Sequence, residues 1–364
     1  METTITTTTP PSEALTTALS GPDPILTHLN ADTSWLIHLP LPPPPSTSTS
    51  TSPHKTKRKR FNILIDPWFR GPQSDGASWF SIQWHVIPSS VCSISELNKL
   101  LREAEGLLPD DIDTDLETEK GKEKNMIDAV IISHEFTDHC HKETLLELCP
   151  TTPVIAAGEK VAELIRSWGH FQHIIISLPS TNTNTNTNTN TNNDNILPNW
   201  LSISRIVTPG NSLYYHSAVV ISWESESTND KKNAVIYTPH GIQASTLLTA
   251  NNNNLKNHRV LALLHGLHDV RLFPSRQLNL GAMNALEAVR ACGARYWVAT
   301  HDEVKKGGGV VSFLLKRTDW SLADVLKRGE KEKEAEKEKE KMGGGLSYEF
   351  VELGSGDALV MRLD

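Results

Sequence analysis

Several short stretches of this chain concentrate apolar residues between polar and turn-forming ones, the pattern of a strand. Thr33–Leu39 and Phe61–Ile65 follow it and predict two strands, joined by an overgrown hairpin loop of Pro, Ser, Thr and Lys over 40–60. Leu201–Thr208 and Ala218–Trp223 read as two more. Apolar runs bounded by turn residues predict short buried strands at Asp128–Ile132, Pro153–Ala156, His173–Leu178, Ala234–Thr238 and Arg259–Leu264. After Pro153–Ala156 the pattern changes. Val161, Leu164, Ile165 and Trp168 fall at i, i+3, i+4 and i+7, which predicts a helix with one apolar face. A second helix is expected over Gly281–Cys292, ended by Gly293, ahead of a strand at Tyr296–Thr300. Tyr348–Leu353 and Ala358–Leu363 flank a GSGD turn and read as a hairpin. Strands dominate the first half and strand–helix–strand units the second, so the class is mixed α/β with stacked layers.

Between these elements lie polar or repetitive segments that cannot bury apolar surface. They predict a disordered tail over 1–24 and loop insertions at 41–60, 109–124, 180–195, 225–232, 250–257 and 329–345 of a single domain spanning 25–364. In Glu330–Lys341 the i,i+4 pairs are mostly like-charged, so a stable helix is not expected there. Such tracts suggest a eukaryotic source. The 38% of hydrophobic residues among 364 is enough for one large core, which excludes global disorder.

The formal charge of −8 argues against bulk electrostatic binding to nucleic acid. Four cysteines are too sparse for a disulfide framework and favour a reducing compartment. The first residues lack a basic and then apolar leader, and no apolar run approaches a membrane span. A cytoplasmic protein without membrane or nucleic-acid partners is expected. The basic run His54–Arg60 leaves a nuclear address open, although a solvated linker is the simpler reading.

The candidate chemistry sits at strand ends. Four short buried strands each run into a loop carrying histidine: His134, Asp138, His139 and His141 after the first, His240 after the second, His265 and His268 after the third, His301 after the fourth. Strands side by side would gather these ends. Several imidazoles with a carboxylate suit zinc, or iron or manganese. There is no glycine-rich phosphate loop followed by Lys-Ser/Thr, and no GxSxG elbow.

His134-x-x-x-Asp138-His139 after an apolar strand resembles the HxHxDH signature of the metallo-β-lactamase superfamily. Leu64–Trp68 (LIDPW) is similar to that family's strand-end aspartate segment, Ile236–Gly241 to its YxGD segment, and Ala299–Glu303 to its late histidine. The ordered series covers the chain from about Asn30 onward. The resemblance implies a four-layer αββα sandwich with a metal site on one sheet edge, in a divergent, fungal-type member. Its motif is degenerate: Phe136 stands at the second histidine, His240 at the bridging aspartate, and only Thr208–Gly210 and His216 are near the middle histidine. Carried over residue by residue, Asp138, His139 and His301 hold one ion. His240 is a fourth ligand or approaches its water, and His134 is a remnant ligand.

The expected activity is therefore hydrolysis of a small ester, lactone, amide or phosphoester by a hydroxide on one zinc ion, with iron or manganese as alternatives. His134 or His240 would handle protons. Asp66 is either a turn residue before Pro67 or a carboxylate accepting a ligand imidazole N–H, and His141 is a neighbour of the ligand set. The plain alternative for Asp138 is a cap on a helix over Lys142–Cys149. Asp302 and Glu303 are expected to start a helix. His265, His268 and Asp269 line the cleft or make ordinary loop hydrogen bonds. The aromatic segment Trp79–His85 either walls a pocket or packs its tryptophans into the core, with the second favoured. The rival function is a metal-free binding or scaffold protein of the same fold. Oligomeric state is left open.

Overall fold

The structure, a computed structural model, describes residues 11–42, 58–107, 125–177, 179, 196–210, 214–224, 231–272, 276–328 and 348–363. In chain order the first half runs α1 (Pro11–Ser20), β1 (Ile25–His28), β2 (Trp35–Pro40), β3 (Arg60–Ile65), β4 (Ile82–Trp84), α2 (Ile94–Ala104), β5 (Ala129–Ile132), α3 (Lys142–Leu145), β6 (Val154–Ala156), α4 (Glu159–Arg166) and β7 (Ile174–Ile176). The second half runs β8 (Leu201–Val207), β9 (Ser217–Trp223), β10 (Lys232–Thr238), α5 (Ala244–Asn252), β11 (His258–His265), β12 (Asp269–Leu272), β13 (Arg276–Asn279), α6 (Ala282–Cys292) and β14 (Tyr296–Val298). It ends with β15 (Lys306–Gly308), α7 (Val311–Leu314), β16 (Leu315–Thr318), β17 (Glu349–Val351) and β18 (Ala358–Val360).

Two large sheets carry the fold. The first has the order β18-β1-β2-β3-β5-β6-β7, antiparallel as far as β3 and parallel beyond it. The second has the order β17-β14-β11-β10-β9-β8, parallel from β17 to β10 and antiparallel beyond. Side-chain alternation decides the packing. Trp35, Ile37, Ile63, Ile65, Ala129 and Ile131 of the first sheet share one core with Val219, Ile221, Val235, Tyr237, Tyr296 and Val298 of the second. The intervening residues face outward: Leu36, Leu64, Val130 and Ile132 onto Leu97, Leu101, Leu145, Val161 and Ile165 of the first sheet's helices. Val220, Ala234, Ile236 and Trp297 meet Leu247, Leu286 and Val289 of α5 and α6. Truncating one fully buried centre, such as Ile63→Ala, costs about 2–5 kcal/mol.

The helix over Gly281–Cys292 starts and stops as its sequence predicts, with Gly293 in the left-handed region at φ 66°. Other expectations give way. Tyr348–Leu353 and Ala358–Leu363 do not form a hairpin: β17 pairs with β14 and β18 with β1, in different sheets. The GSGD turn permits a hairpin, but two open sheet edges offer each strand a longer-lived partner. Within the segment expected to be a disordered tail, α1 forms because Leu15 and Leu19 lie one turn apart and pack on Ile25 and Ala104. The predicted insertion at 250–257 begins inside α5, anchored by buried Ala250 and Leu255. Arg58 and Arg60 of the basic run are structural. Arg58 pairs with Asp128 at 2.6 Å, and Arg60 donates to the carbonyls of Leu19 and Asp23. The insertions expected at 109–124, 180–195 and 329–345, residues 225–230 of another and 43–57 of the first lie outside the described residues.

Candidate metal centre

The site lies at the C-terminal ends of strands from both sheets. Asp66 follows β3, the loop His134–His139 follows β5, His240 follows β10 and His301 follows β14. Asp66 and His301 are the non-glycine residues held at positive φ among the described residues, 43° and 58°. At the turn after β10, Gly241 sits at φ 80°, and a Cβ there would fall 2.6 Å from Leu280 Cβ and 3.0 Å from His265 Nε2. Only glycine admits the packing that aims His240 inward.

Three imidazoles share one arrangement. His139 Nδ1–H donates to Asp66 Oδ2 at 2.7 Å, His240 Nδ1–H to Asn279 Oδ1 at 2.8 Å, and His301 Nδ1–H to Asp32 Oδ1 at 3.0 Å. Asp66 is itself fixed by Tyr237 OH at 2.8 Å, the Ser133 N–H at 2.8 Å and the Ser133 hydroxyl. With Nδ1 protonated, each neutral ring presents a lone pair at Nε2. The Nε2 atoms of His139 and His240 face each other at 3.1 Å, and ligand atoms of His139, His240 and His301 all lie within 4.8 Å of one another. Converging lone pairs repel unless a cation or a shared proton lies between them. The donor set fits a borderline transition-metal ion, each ring being oriented by an outer partner.

The electrostatics agree. Burial, reinforced by the neighbouring imidazoles His134, His139 and His301, pushes His240 well below the ordinary histidine range. Burial also lowers His301 despite Asp32. For His139, burial acts against the charge, but Asp138 and Asp66 together outweigh it and raise its proton affinity. Proton and metal ion therefore compete for the same lone pairs.

Asp138 stands beside this trio, Oδ1 3.7 Å from His139 Nε2 and Oδ2 3.8 Å from His301 Nε2. Its Oδ2 accepts from Lys305 Nζ at 2.8 Å, and Lys305 Nζ also lies 2.7 Å from Asp32 Oδ2. Asp32, Asp138 and His301 form a second group of close ligand atoms. His134 is outside both groups. Its Nδ1 accepts from Phe136 N–H at 3.2 Å, its buried Nε2 has no partner among the described residues, and its ring lies 4.9 Å from that of His240. A cavity of about 270 Å³ opens onto Asp138, His240, His301 and Lys305, with Phe136 and Tyr215 on its wall.

Several sequence expectations need correction. His141 is not beside the ligand set: it caps α3 by accepting from Thr144 N–H, and α3 ends at Leu145 rather than Cys149. Asp138 therefore caps nothing and faces the site. His216 donates to Leu278 O, so it supplies no middle histidine to the cluster. Asp302 and Glu303 start no helix. Asp302 accepts from Leu267 N–H and His268 N–H, while Glu303 clamps His85 at 2.5 Å and the Val86 and Ile87 amides. Trp79 is 72% exposed and so not a core residue, while Ser81 and Gln83 of the same segment line the cavity. His265 and His268 make ordinary bonds to Asn284 and Trp320. Asp66 is both turn residue and imidazole acceptor. Asp32, Asn279, Tyr215 and Lys305 are site residues that sequence reasoning missed. The lysine two residues beyond the acidic pair 302–303 was the available hint.

No family model matches the sequence, and no curated protein matches it. Solved structures do match. A possible metal-dependent hydrolase from Veillonella parvula is 13% identical at a TM-score of 0.51, the alignment covering 92% of this chain and 98% of that one. An isothiocyanate hydrolase from Delia radicum gut bacteria is 13% identical at 0.49, over 92% and 98%. Unliganded yeast PDE1 is 9% identical at 0.46, over 93% and 100%. The first likeness shows a shared mixed α/β fold.

Proposed function

We propose that this chain is a metal-dependent hydrolase with a mononuclear centre on His139, His240 and His301, built in a four-layer αββα sandwich. The observation that carries the reading is the convergence of three Nε2 lone pairs whose Nδ1 protons are all held by outer acceptors. A divalent zinc, iron or manganese ion there supplies Lewis acidity and lowers the pKa of a water toward about 7. Asp138, 3.7 Å from His139 Nε2 and 3.8 Å from His301 Nε2, would stand beside the ion as a carboxylate held by Lys305. His240, read from sequence as a fourth ligand or as a proton-handling group near the water, takes the ligand role in this proposal. His134 presents a buried N–H with no partner beside His240, a donor for a bound polar atom.

The wall narrows the substrate. Four carboxylates (Asp32, Asp75, Asp138 and Glu303) and two basic side chains (Lys305 and Arg317) line the cavity. That is not the Arg/Lys clamp a phosphoester needs. Phe136, Tyr215, Val270 and Leu278 supply apolar contact. A small uncharged ester, lactone or amide suits this wall better. The test is metal analysis of the purified chain with a panel of esters and lactones. About one ion per chain and metal-dependent turnover are expected. Less than about a tenth of an ion after reloading with zinc, iron or manganese would overturn the reading in favour of a scaffold.

A further inference from the structure

Asp32, Asp138 and His301 bring ligand atoms within 4.8 Å of one another, a second cluster that shares His301 with the imidazole trio and adds two carboxylates. A side chain of this same protein already meets it. Lys305 Nζ contacts Asp32 Oδ2 at 2.7 Å and Asp138 Oδ2 at 2.8 Å, and it lies 5.4 Å from the centre of the Trp68 ring. All three charged side chains are buried: Asp32 is inaccessible, Lys305 is 8% exposed and Asp138 11%. Two carboxylates desolvated side by side repel unless a positive charge sits between them. Lys305 supplies that charge from the loop joining β14 to β15, a few residues beyond His301. Lys305 also lines the cavity.

We propose that Lys305 is a built-in cation occupying a latent second metal position, so that the protein needs one exchangeable ion where the ligand geometry could hold two. This rests on the mononuclear reading above and deepens it. His240 and His301 of the trio and Lys305 line the same cavity, so the ion and the ammonium would both be open to a substrate oxygen. Removing the ammonium should free the two carboxylates, Asp32 and Asp138, to hold a second ion, His301 staying with the first.

The experiment measures zinc stoichiometry on the full-length chain by elemental analysis after desalting, with melting followed in parallel. Wild type is expected to hold one zinc per chain and Lys305→Met two. Lys305→Arg, which keeps a positive charge, should stay at one. Asp32→Asn combined with Lys305→Met removes the charge and half its cage together while keeping an amide oxygen for His301 Nδ1–H, and should hold no second zinc, the first being bound more weakly. Should Lys305→Met be unfolded without zinc, excess zinc must restore folding and the second equivalent. A folded Lys305→Met with one zinc, an unfolded one that zinc does not rescue, or a wild type with two would each overturn the inference. A wild type with none would instead overturn the metal reading beneath it.

Discussion

Strand β3 has a buried polar cluster at each end, and the two are built on opposite logic. At its start, His38 Nε2 bonds Thr27 Oγ1 at 3.0 Å and Nδ1 bonds Asn62 Oδ1 at 2.8 Å. Asn62 Nδ2–H donates to Met126 O at 2.9 Å, and Arg60 spends its guanidinium on backbone carbonyls. Polar atoms there are paired within the protein, on extended backbone. About 20 Å along the strand, Asp66 opens a cluster with two non-glycine residues at positive φ, three imidazole lone pairs facing one another and an unpartnered His134 N–H. Equal burial therefore does not mean equal purpose. The first network is closed and needs only itself. The second is held under strain and left open, the mark of a site awaiting a ligand.

The sharpest way to break this contrast is to remove an imidazole from the open cluster. His240→Ala should retain less than about a tenth of an equivalent of zinc while the sheets stay folded. Full zinc retention, read by elemental analysis, would mean that the facing lone pairs hold nothing. Next comes acidification, which should strike the closed cluster. Burial first, with Arg60 adding to it, lowers His38 from the ordinary 6.5 to about 4, although its bond to Asn62 acts the other way. A depressed folded value means the stability is present above pH 6.5 and is lost as pH falls toward 4, by on the order of 3 kcal/mol. Urea midpoints of wild type and His38→Gln should converge over that window; parallel curves would contradict it.

Asp66→Asn keeps one acceptor oxygen for His139 but removes the charge and turns an amide N–H toward a buried donor; it should weaken zinc binding about 10- to 100-fold and lower stability by about 1–3 kcal/mol. Competition with a chelator measures the binding, and an unchanged affinity would reduce Asp66 to a turn residue. The smallest effect belongs to His134→Phe. It removes an unpaired buried N–H, a gain of up to about 1 kcal/mol, but also the Nδ1 acceptor of the Phe136 N–H, so the net change should stay within about 1 kcal/mol of zero. A loss above about 2 kcal/mol would show that the nitrogen has a partner after all.

Much of the layout was legible because strands buried on both faces are short apolar runs bounded by polar and turn residues. Each of β2, β3, β5 and β10 lies within a residue or two of its predicted span, and each site histidine betrays itself by following such a strand. Asp32 and Lys305 were not legible. A single charge in a loop looks the same in sequence whether solvent or a carboxylate meets it, and their contact joins residues at opposite ends of the chain. The misread β17 and β18 fail for a related reason. Local pattern says that two strands exist, but the identity of their partners is decided by which sheet edges remain open. His141 was misjudged because a histidine among ligands can equally cap the next helix, and only the direction of its ring separates the two.

The separate destinations of β17 and β18 also bear on how the molecule is made. Ile25 of β1 is registered against Val360, and Tyr296 of β14 against Glu349. Neither large sheet can acquire its last rung until those late residues have left the ribosome. Both halves must then wait, unzipped along one margin, while everything between β1 and β17 is made. The segment carrying β17 and β18 acts as a clasp fastened once, on both halves together.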